Sequence, residues 1–169
     1  MIIFYTPDIK GIEYSLNEEE SKHAIRVLRM GVDDEINLID GKGTLFKAVI
    51  TDPHPKRCRV IVKETLSDYE KRIYRLHIAI SPIKNPDRFE WFLEKATEIG
   101  IDEITPLLCN RSEKKNINIE RCNRVIESAM KQSIKAYHPK MNAPIAFNDF
   151  TCINFLEAKL IATCEGERQ

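Results

Sequence analysis

Three polar side chains follow predicted strands at positions where ligands bind in many sheet proteins. Lys84 comes a few residues after one strand in the second half of the chain, and Arg111 and Ser112 follow the next strand. In open α/β sheets, ligands bind beyond the carboxyl ends of the strands. We therefore expect Lys84, Arg111 and Ser112 to lie near one rim of the sheet. Polar loop residues that only face water give the same pattern, so position alone assigns no role.

Basic residues fall at helical spacing on two predicted helices. The first basic stripe consists of Lys22, Arg26 and Arg29, with His23 beside it, opposite an apolar face. The second basic stripe lies on the long helix of the second half and consists of Arg121, Arg124, Lys131 and Lys135. Such stripes neutralise phosphates, and binding through them weakens as salt rises. Solvated helix faces show the same spacing, and the acidic run at 18–20 lowers the charge of the first stripe.

The sequence has none of the usual motifs for metal, nucleotide or thiol chemistry. Its five cysteines, at positions 58, 109, 122, 152 and 164, include no CxxC pair. We therefore expect reduced thiols, as in the cytoplasm, and neither a disulfide framework nor a metal site. The sequence also contains no GxGxxG, P-loop or HExxH motif.

Composition places the chain among ordinary globular proteins. It has 169 residues, of which 43% are hydrophobic and 31% are charged. Its 26 basic and 26 acidic residues give no net charge, which excludes a histone-like protein that binds nucleic acid through bulk charge. No apolar run reaches the roughly 18–20 residues of a membrane span, and the N-terminus lacks the basic stretch of a secretory signal. We therefore expect a cytoplasmic protein with no membrane partner.

The first third of the sequence predicts a small β-rich unit. A helix is expected over 17–30, because Asn17 is a good N-cap and the acidic run after it favours a helix N-terminus. Segments 35–40 and 44–51 flank a turn that contains Gly41 and Gly43, which predicts a hairpin. A further strand is expected over 57–65. These elements indicate a β-barrel over residues 1 to about 68.

The rest of the chain alternates strands and helices. Strands are expected over 74–80, 103–109 and 159–164, and helices over 85–100 and from about 119 to 137. This alternation indicates an α/β layer with a largely parallel sheet. Three strands form a small sheet for such a fold, so we expect the sequence to be part of a longer protein.

Four segments resemble one known family, in one order and over nearly the whole chain. HAIRVLRM (23–30) and the DGKG hairpin resemble the N-terminal PUA-like domain of the RsmE family. The segment 81–101, which contains KATEIG, and the following ITPLLCNRS (104–112) are similar to that family's K…KATELG and P…RS motifs. ESAMKQSIKAYHP (127–139) resembles its AxxQSx[RK]…P helix. The members are ribosomal RNA methyltransferases that use S-adenosyl-L-methionine (SAM) and act on N3 of a uridine in 16S rRNA.

The resemblance implies a two-domain fold. Residues 1–69 are expected to form a PUA-like, RNA-binding β-barrel, and 70–169 the N-terminal part of a SPOUT-type α/β methyltransferase domain, truncated before its trefoil knot. The family's GPEG-type loop and its LG…LRxETA segment, which form most of the cofactor pocket, are not in the sequence. This polypeptide is therefore not expected to hold SAM well, and Cys164 is the one residue expected near it. At Lys135 many relatives carry Arg, which binds phosphate with a bidentate geometry that Lys lacks.

The resemblance also implies roles for individual residues. Arg111 is expected to stabilise charge on the uracil oxygens, Lys84 and Lys95 to support it, and Glu98 to accept the N3 proton. The residues expected to bind RNA are His23, Arg26 and Arg29 in the barrel, and Arg88, Ser112, Gln132 and Lys135 in the α/β unit. The partner is 16S rRNA or the small ribosomal subunit, and the family implies a homodimer.

Two other functions fit the same residues. The chain could be a non-catalytic RNA-binding module of the same ancestry. It could also be an α/β protein that binds a small anion at Arg111 and Ser112, with no RNA partner. Salt-dependent RNA binding that falls when Arg26 and Arg29 are neutralised separates these two alternatives.

Overall fold

The computed structural model of the chain describes residues 2–112, 116–156 and 158–162. The strands are β1 (Ile3–Tyr5), β2 (Glu13–Ser15), β3 (Glu35–Ile39), β4 (Leu45–Asp52), β5 (Arg59–Leu66), β6 (His77–Ile80), β7 (Glu103–Leu108), β8 (Lys140–Met141) and β9 (Ile145–Ala146). The helices are α1 (Glu18–Lys22), α2 (Pro86–Ile99), α3 (Ile119–Gln132) and α4 (Phe147–Cys152).

The N-terminal unit is a five-stranded half-barrel with the order β1-β3-β4-β5-β2. The predicted hairpin is confirmed, because β3 and β4 pair in antiparallel register with Ile39 opposite Leu45. Irregularities between Lys47 and Ala48 and between Ile50 and Asp52 interrupt the β4–β5 pairing, and such bulges bend a strand and increase its twist. The inward side chains form one buried core: Phe4, Leu16, Ala24, Ile36, Leu38, Ala48, Ile50 and Val60.

The first helix begins as predicted but ends early. The Asn17 side chain accepts a hydrogen bond from the Glu20 N–H at 2.8 Å, which is the expected N-cap. The α-helix continues only to Lys22, and one turn of π-helix follows over His23–Val27, closed by a Leu28 N–H bond to the His23 carbonyl. Arg29 has a left-handed φ of +57° and lies outside the helix. The predicted helix over 17–30 is therefore wrong at its end.

The second unit is a parallel sheet with α2 and α3 packed on one face. In it β7 pairs with β6, β8 and β9, all in parallel. The predicted ends of α2 are confirmed, with Asn85 as N-cap, Pro86 in the first turn and Gly100 at φ +104° after the last residue. Helices α2 and α3 bury the residues Phe89, Leu93, Ala96, Ile104, Cys122 and Ile126.

Two predicted elements of this unit differ in the structure. The long helix ends at Gln132 rather than Tyr137, because Ile134 adopts a left-handed φ of +60° that a helix cannot continue through. The strand predicted over 159–164 is absent from its described part, where Leu160 and Ile161 are 95% and 86% exposed. Residues 163 and 164 lie outside the described residues. The positions beside β7 belong instead to β8 and β9, which come from the segment after α3.

The two units meet at the hairpin turn between β3 and β4, which we call the junction. The Gly43 N–H donates to the Ala136 carbonyl at 3.0 Å, and the His138 N–H donates to the Gly41 carbonyl at 2.8 Å. Beside these bonds a third core cluster joins Ile3, Ile39 and Leu45 of the half-barrel to Met130 and Ala136 of the second unit. Both glycines of this turn have a positive φ, +75° at Gly41 and +100° at Gly43, which residues with a Cβ rarely adopt.

Candidate functional site

An open groove of about 730 Å³ lies at the carboxyl ends of β6 and β7, beside the N-terminus of α2. We call it the strand-end groove, and its lining consists of Ser81, Pro82, Ile83, Lys84, Asn85, Arg88, Cys109, Arg111 and Ser112. Three of these nine side chains are cationic and none is acidic. The structure therefore brings Lys84, Arg111 and Ser112 to one rim, and adds Arg88 from the first turn of α2. The lining suits an anionic ligand.

The N-terminus of α2 adds to the positive potential of the groove. The Asn85 side chain accepts from the Asp87 N–H at 2.9 Å, so the cap and the first turn are ordered at the groove wall. A helix N-terminus carries a partial positive charge that favours anions. Sequence reasoning did not assign a role to Asn85 or Ser81, although both follow the end of β6 in the segment that contains Lys84.

Arg88 and Arg111 are exposed, and neither forms an ion pair with a residue that the structure describes. A guanidinium group offers several donors in one plane and binds phosphate or carboxylate through two parallel hydrogen bonds. Both side chains are therefore available to a ligand in the groove.

The turn that carries Arg111 is held by hydrogen bonds at Ser112. The Ser112 N–H donates to the Cys109 carbonyl at 2.9 Å, and the Cys109 N–H donates to Ser112 Oγ at 3.0 Å. Ser112 Oγ also lies 2.7 Å from Ser81 Oγ, across the two strand ends. The loop after β7 is thus tied to the loop after β6 at the point where the groove forms.

Lys95 and Glu98 do not line the groove. They lie in the second half of α2, where Lys95 Nζ is bonded to Glu94 Oε1 at 2.8 Å and to Glu98 Oε1 at 2.9 Å. The hydrogen bonds to Glu94 and Glu98 raise the pKa of Lys95. The structure does not bring these two residues to Arg111 and Lys84, because the helix axis carries them away from its N-terminus.

A second groove, of about 610 Å³, lies along α1 and the π-helical turn after it, and we call it the α1 groove. Its lining contains Lys22, His23 and Arg26 together with the acidic residues Glu18 and Glu19. Lys22 pairs with Glu18 at 2.7 Å, and this hydrogen bond lowers the pKa of Glu18.

The first basic stripe is shorter than predicted. Arg26 is exposed, and His23 packs its ring 5.6 Å from that of Phe4. Arg29 is not part of the lining, because the helix ends before it. The N-terminal unit therefore presents two of its three expected RNA contacts, His23 and Arg26, in one groove, whose acidic residues partly balance their charge.

The second basic stripe is occupied by ion pairs. Its four pairs are Arg121 with Glu90 at 2.6 Å, Arg124 with Glu120 at 3.6 Å, Lys131 with Glu20 at 2.9 Å and Lys135 with Glu70 at 3.1 Å. Two of these partners, Glu20 and Glu70, lie 111 and 65 residues away in the chain, which helical spacing does not show. The ion pairs lower the charge that this stripe offers to a ligand, and its contact with a phosphate backbone stays a prediction. Lys135 also lies beyond the end of α3. Gln132 is the last residue of α3, and its side chain is exposed.

A buried carboxylate anchors the opposite end of the sheet. Glu103 begins β7 and is bonded by Arg75, by Lys140 at 3.0 Å and by Asn142 at 2.8 Å. Burial alone would raise the pKa of Glu103, but the hydrogen bonds from Asn142 and Lys140 outweigh it and lower the pKa to about 2. These bonds tie the segment before β6 and the strand β8 to β7, which is a structural role.

The described residues include neither a metal-ligand cluster nor a membrane-spanning helix. Within residues 2–112, 116–156 and 158–162, no three His, Cys, Asp or Glu side chains are grouped as a metal ion would need. None of the helices in those ranges combines the length and apolar character of a bilayer crossing. Cys164, the residue expected near the cofactor, lies outside the described residues.

Comparison with known families agrees with this architecture. A family model for an RNA methyltransferase PUA domain matches residues 16–63, and one for an RNA methyltransferase domain matches residues 70–169, more than half of the chain. The two matched domains, a PUA domain followed by a methyltransferase domain, define a class of RNA methyltransferases. The chain belongs to this class, and within it to the RsmE family.

Individual relatives are similar over most of this chain. It is 32% identical to Ribosomal RNA small subunit methyltransferase E of Rickettsia conorii over 125 residues, which are 73% of this chain and 50% of that protein. A crystal structure described as a probable rRNA-methyltransferase from Porphyromonas gingivalis is 40% identical, with a TM-score of 0.82 over 89% of this chain and 63% of that one. A methyltransferase candidate from Legionella pneumophila, solved with SAM bound, is 25% identical, with a TM-score of 0.78 over 88% of this chain and 64% of that one. The chain spans about half the length of the curated relatives it matches.

Proposed function

We propose that this chain supplies the RNA-binding part of an enzyme that methylates N3 of a uridine in 16S rRNA, with SAM as methyl donor. The observation that carries the proposal is the strand-end groove, whose lining includes the three cationic side chains Lys84, Arg88 and Arg111. The family membership supports the reaction type, and the name of the Rickettsia conorii relative supports ribosomal RNA as substrate.

The residues of the strand-end groove bind the RNA and stabilise charge on the target base. Arg88, Lys84 and the N-terminus of α2 bind phosphate oxygens next to the target nucleotide. A base is accessible for chemistry only when it is unpaired or turned out of the stack, so the groove receives a splayed uridine. When N3 loses its proton, the negative charge spreads onto the uracil oxygens. The Arg111 guanidinium stabilises that charge, and the exposure of Arg111 allows such a contact.

The described residues do not form the SAM site. SAM carries a sulfonium and an ammonium group against one carboxylate, so its net charge is positive, and an open groove lined by three cations disfavours it. We therefore assign the groove to RNA alone and the cofactor to residues outside those described. Lys95 and Glu98 are not part of this proposal, because they pair with each other away from the groove.

Each of the two domains contributes its own residues to RNA binding. Residues 1–69 form the PUA-like domain, which holds RNA through His23 and Arg26 in the α1 groove and through Arg29 beyond it. Residues 70–169 belong to the methyltransferase domain, where Gln132 adds an exposed amide. Lys135 is left out because its ammonium group is paired with Glu70. The whole protein works in the cytoplasm as a homodimer on 16S rRNA or the small subunit.

Methyl transfer by the whole protein tests the proposal. Tritium from labelled SAM is expected in 16S rRNA, and Arg111→Ala is expected to lower the rate at least tenfold, because a lost transition-state contact to a charged group costs on the order of 2–4 kcal/mol. Lys63→Ala is the matched control, since Lys63 is exposed on β5 outside both grooves. A rate for Arg111→Ala equal to that of the parent contradicts the proposal. RNA binding without any methyl transfer by the whole protein favours the non-catalytic module instead.

A further inference from the structure

We infer that Ser81 and Ser112 act as one unit, which positions Arg111 and presents one hydroxyl proton to a ligand oxygen in the strand-end groove. This inference rests on the proposed function, because it assigns a positioning residue to the same RNA site. Neither the family models nor the names of the relatives assign any role to Ser81.

The placement of the two serines follows from the sheet. Strand β6 ends at Ile80 and β7 at Leu108, and the two strands are parallel neighbours, with Ile80 opposite Pro106. Ser81 is therefore the first residue after β6, and the turn over 109–112 follows β7 at the same edge. The two hydroxyl oxygens lie 2.7 Å apart, a normal length for an O–H···O hydrogen bond.

The Ser81 and Ser112 hydroxyls together leave one O–H proton for a ligand. Each serine hydroxyl has one proton and two acceptor lone pairs. Ser112 Oγ already accepts from the Cys109 N–H, and one of the two hydroxyls donates to the other. Whichever serine is the donor within the pair, the O–H of its partner remains for a third acceptor. Both side chains line the groove, so that proton is directed to a phosphate or carbonyl oxygen bound there.

The same bonds fix the position of Arg111. Arg111 lies inside the turn that Ser112 closes, between the reciprocal bonds with Cys109. Ser81 is the only described side chain that is hydrogen-bonded to Ser112 Oγ, and it ties the turn to the neighbouring strand. Without Ser81, the turn keeps its local bonds but loses its attachment to β6. The Arg111 guanidinium then samples more positions, and its contact with a phosphate weakens.

A double-mutant cycle on RNA binding separates this role from simple structural support. The probe is a fluorescent single-stranded 16S rRNA fragment that contains uridine, titrated with the parent chain, Ser81→Ala, Arg111→Ala and the double variant at fixed salt. We expect Ser81→Ala to weaken binding about threefold to tenfold in the parent, the range for one net hydrogen bond. In the Arg111→Ala background, Ser81→Ala is expected to weaken RNA binding by less than about half of the factor measured in the parent. The reason is that the side chain that Ser81 positions is then absent.

Conservative variants complete the test. Ser81→Thr keeps the hydroxyl and is expected to restore binding, whereas Ser81→Cys keeps the size with a weak donor and is expected to behave like Ser81→Ala. Ser128→Ala, at an exposed position on α3, is the matched control and is expected to bind like the parent. If Ser81→Ala does not fold, as judged by its melting temperature, the cycle is run with Ser81→Cys.

The outcomes distinguish the inference from the function on which it rests. Equal losses from Ser81→Ala in both backgrounds, or no loss in the parent, overturn the positioning role while the RNA site stands. Binding that is unaffected by Arg111→Ala overturns the proposed function, and with it this inference. A loss that depends on Arg111 and is restored by threonine supports both.

Discussion

Arg111 and Lys135 show how the partner of a residue decides its role. Both are basic residues in segments that the sequence assigns to RNA binding. Arg111 is exposed and has no ion-pair partner among the described residues, whereas Lys135 lies 3.1 Å from the Glu70 carboxylate. A ligand phosphate must displace Glu70 to reach Lys135, whereas no carboxylate of the described residues is paired with Arg111. The sequence shows both charges, and only the fold shows which one is compensated.

Glu103 gives the chain a defined sensitivity to acid. The pKa of its carboxyl is about 2 in the folded chain, against an ordinary value of 4.5. A lowered pKa stabilises the fold above pH 4.5, and this contribution is lost as the pH falls from 4.5 through 2. Between pH 7 and pH 3 we expect the parent to lose about 2 kcal/mol more unfolding free energy than Glu103→Gln, measured by urea denaturation.

Other carboxylates titrate in both proteins, so the difference between them isolates Glu103. Glu13→Gln, which removes a carboxylate at an exposed position on β2, is the matched control. If the unfolding free energies of the parent and Glu103→Gln change with pH in the same way, the hydrogen bonds around Glu103 do not stabilise its ionised carboxylate, and the prediction is contradicted.

Among the elements, those with local end signals could be predicted and those that end through distant contacts could not. Both ends of α2 are specified within a few residues, by Asn85, Pro86 and Gly100, and the structure confirms them. The end of α3 depends on the turn at Ile134, after which the chain enters the junction. No local residue pattern marks that turn, so helical periodicity continued the helix too far.

The strand predicted over 159–164 illustrates a second limit. A short apolar run has the composition of a strand, but a strand exists only where another strand pairs with it. In the structure the edge of β7 is occupied by β8 and β9, each two residues long, which carry too little pattern to be predicted. The groove was nevertheless predictable, because it depends on where β6 and β7 end and not on what lies on the far side of the sheet.

The hairpin turn at the junction provides a test at the level of elements. Gly43 has φ +100°, and a Cβ added there would overlap the Tyr137 ring. Gly11 has a similar φ of +76° with no atom near its added Cβ, so Gly11→Ala measures the cost of the backbone conformation alone. We expect Gly11→Ala to cost about 1 kcal/mol and Gly43→Ala about 3 kcal/mol or more.

Thermal unfolding measures the difference between these two variants. For a chain of this size the expected losses correspond to melting temperatures lower by about 2–4 °C for Gly11→Ala and by about 6–12 °C for Gly43→Ala. Equal shifts for the two variants would mean that the Tyr137 ring moves aside freely and that the junction is not tightly packed at Gly43.

At the scale of the whole molecule, the two units are held together in part by a basic residue of the second stripe. The Lys131–Glu20 pair joins α3 to α1, with the Glu20 side chain only 8% exposed. Breaking a pair that includes a buried carboxylate leaves an uncompensated charge, which is strongly destabilising. The Lys131–Glu20 pair, together with the shared apolar cluster at the junction, holds the half-barrel against the α/β unit.

Cross-linking of RNA to the chain tests most directly whether RNA lies in the strand-end groove. A 16S rRNA fragment with 4-thiouridine at its uridine positions is irradiated in complex with the chain, and the modified peptides are identified by mass spectrometry. The proposed function predicts cross-links within residues 81–88 and 109–112, the two segments that line the groove. Cross-links confined to residues outside both grooves, such as the exposed face of α3, would contradict it.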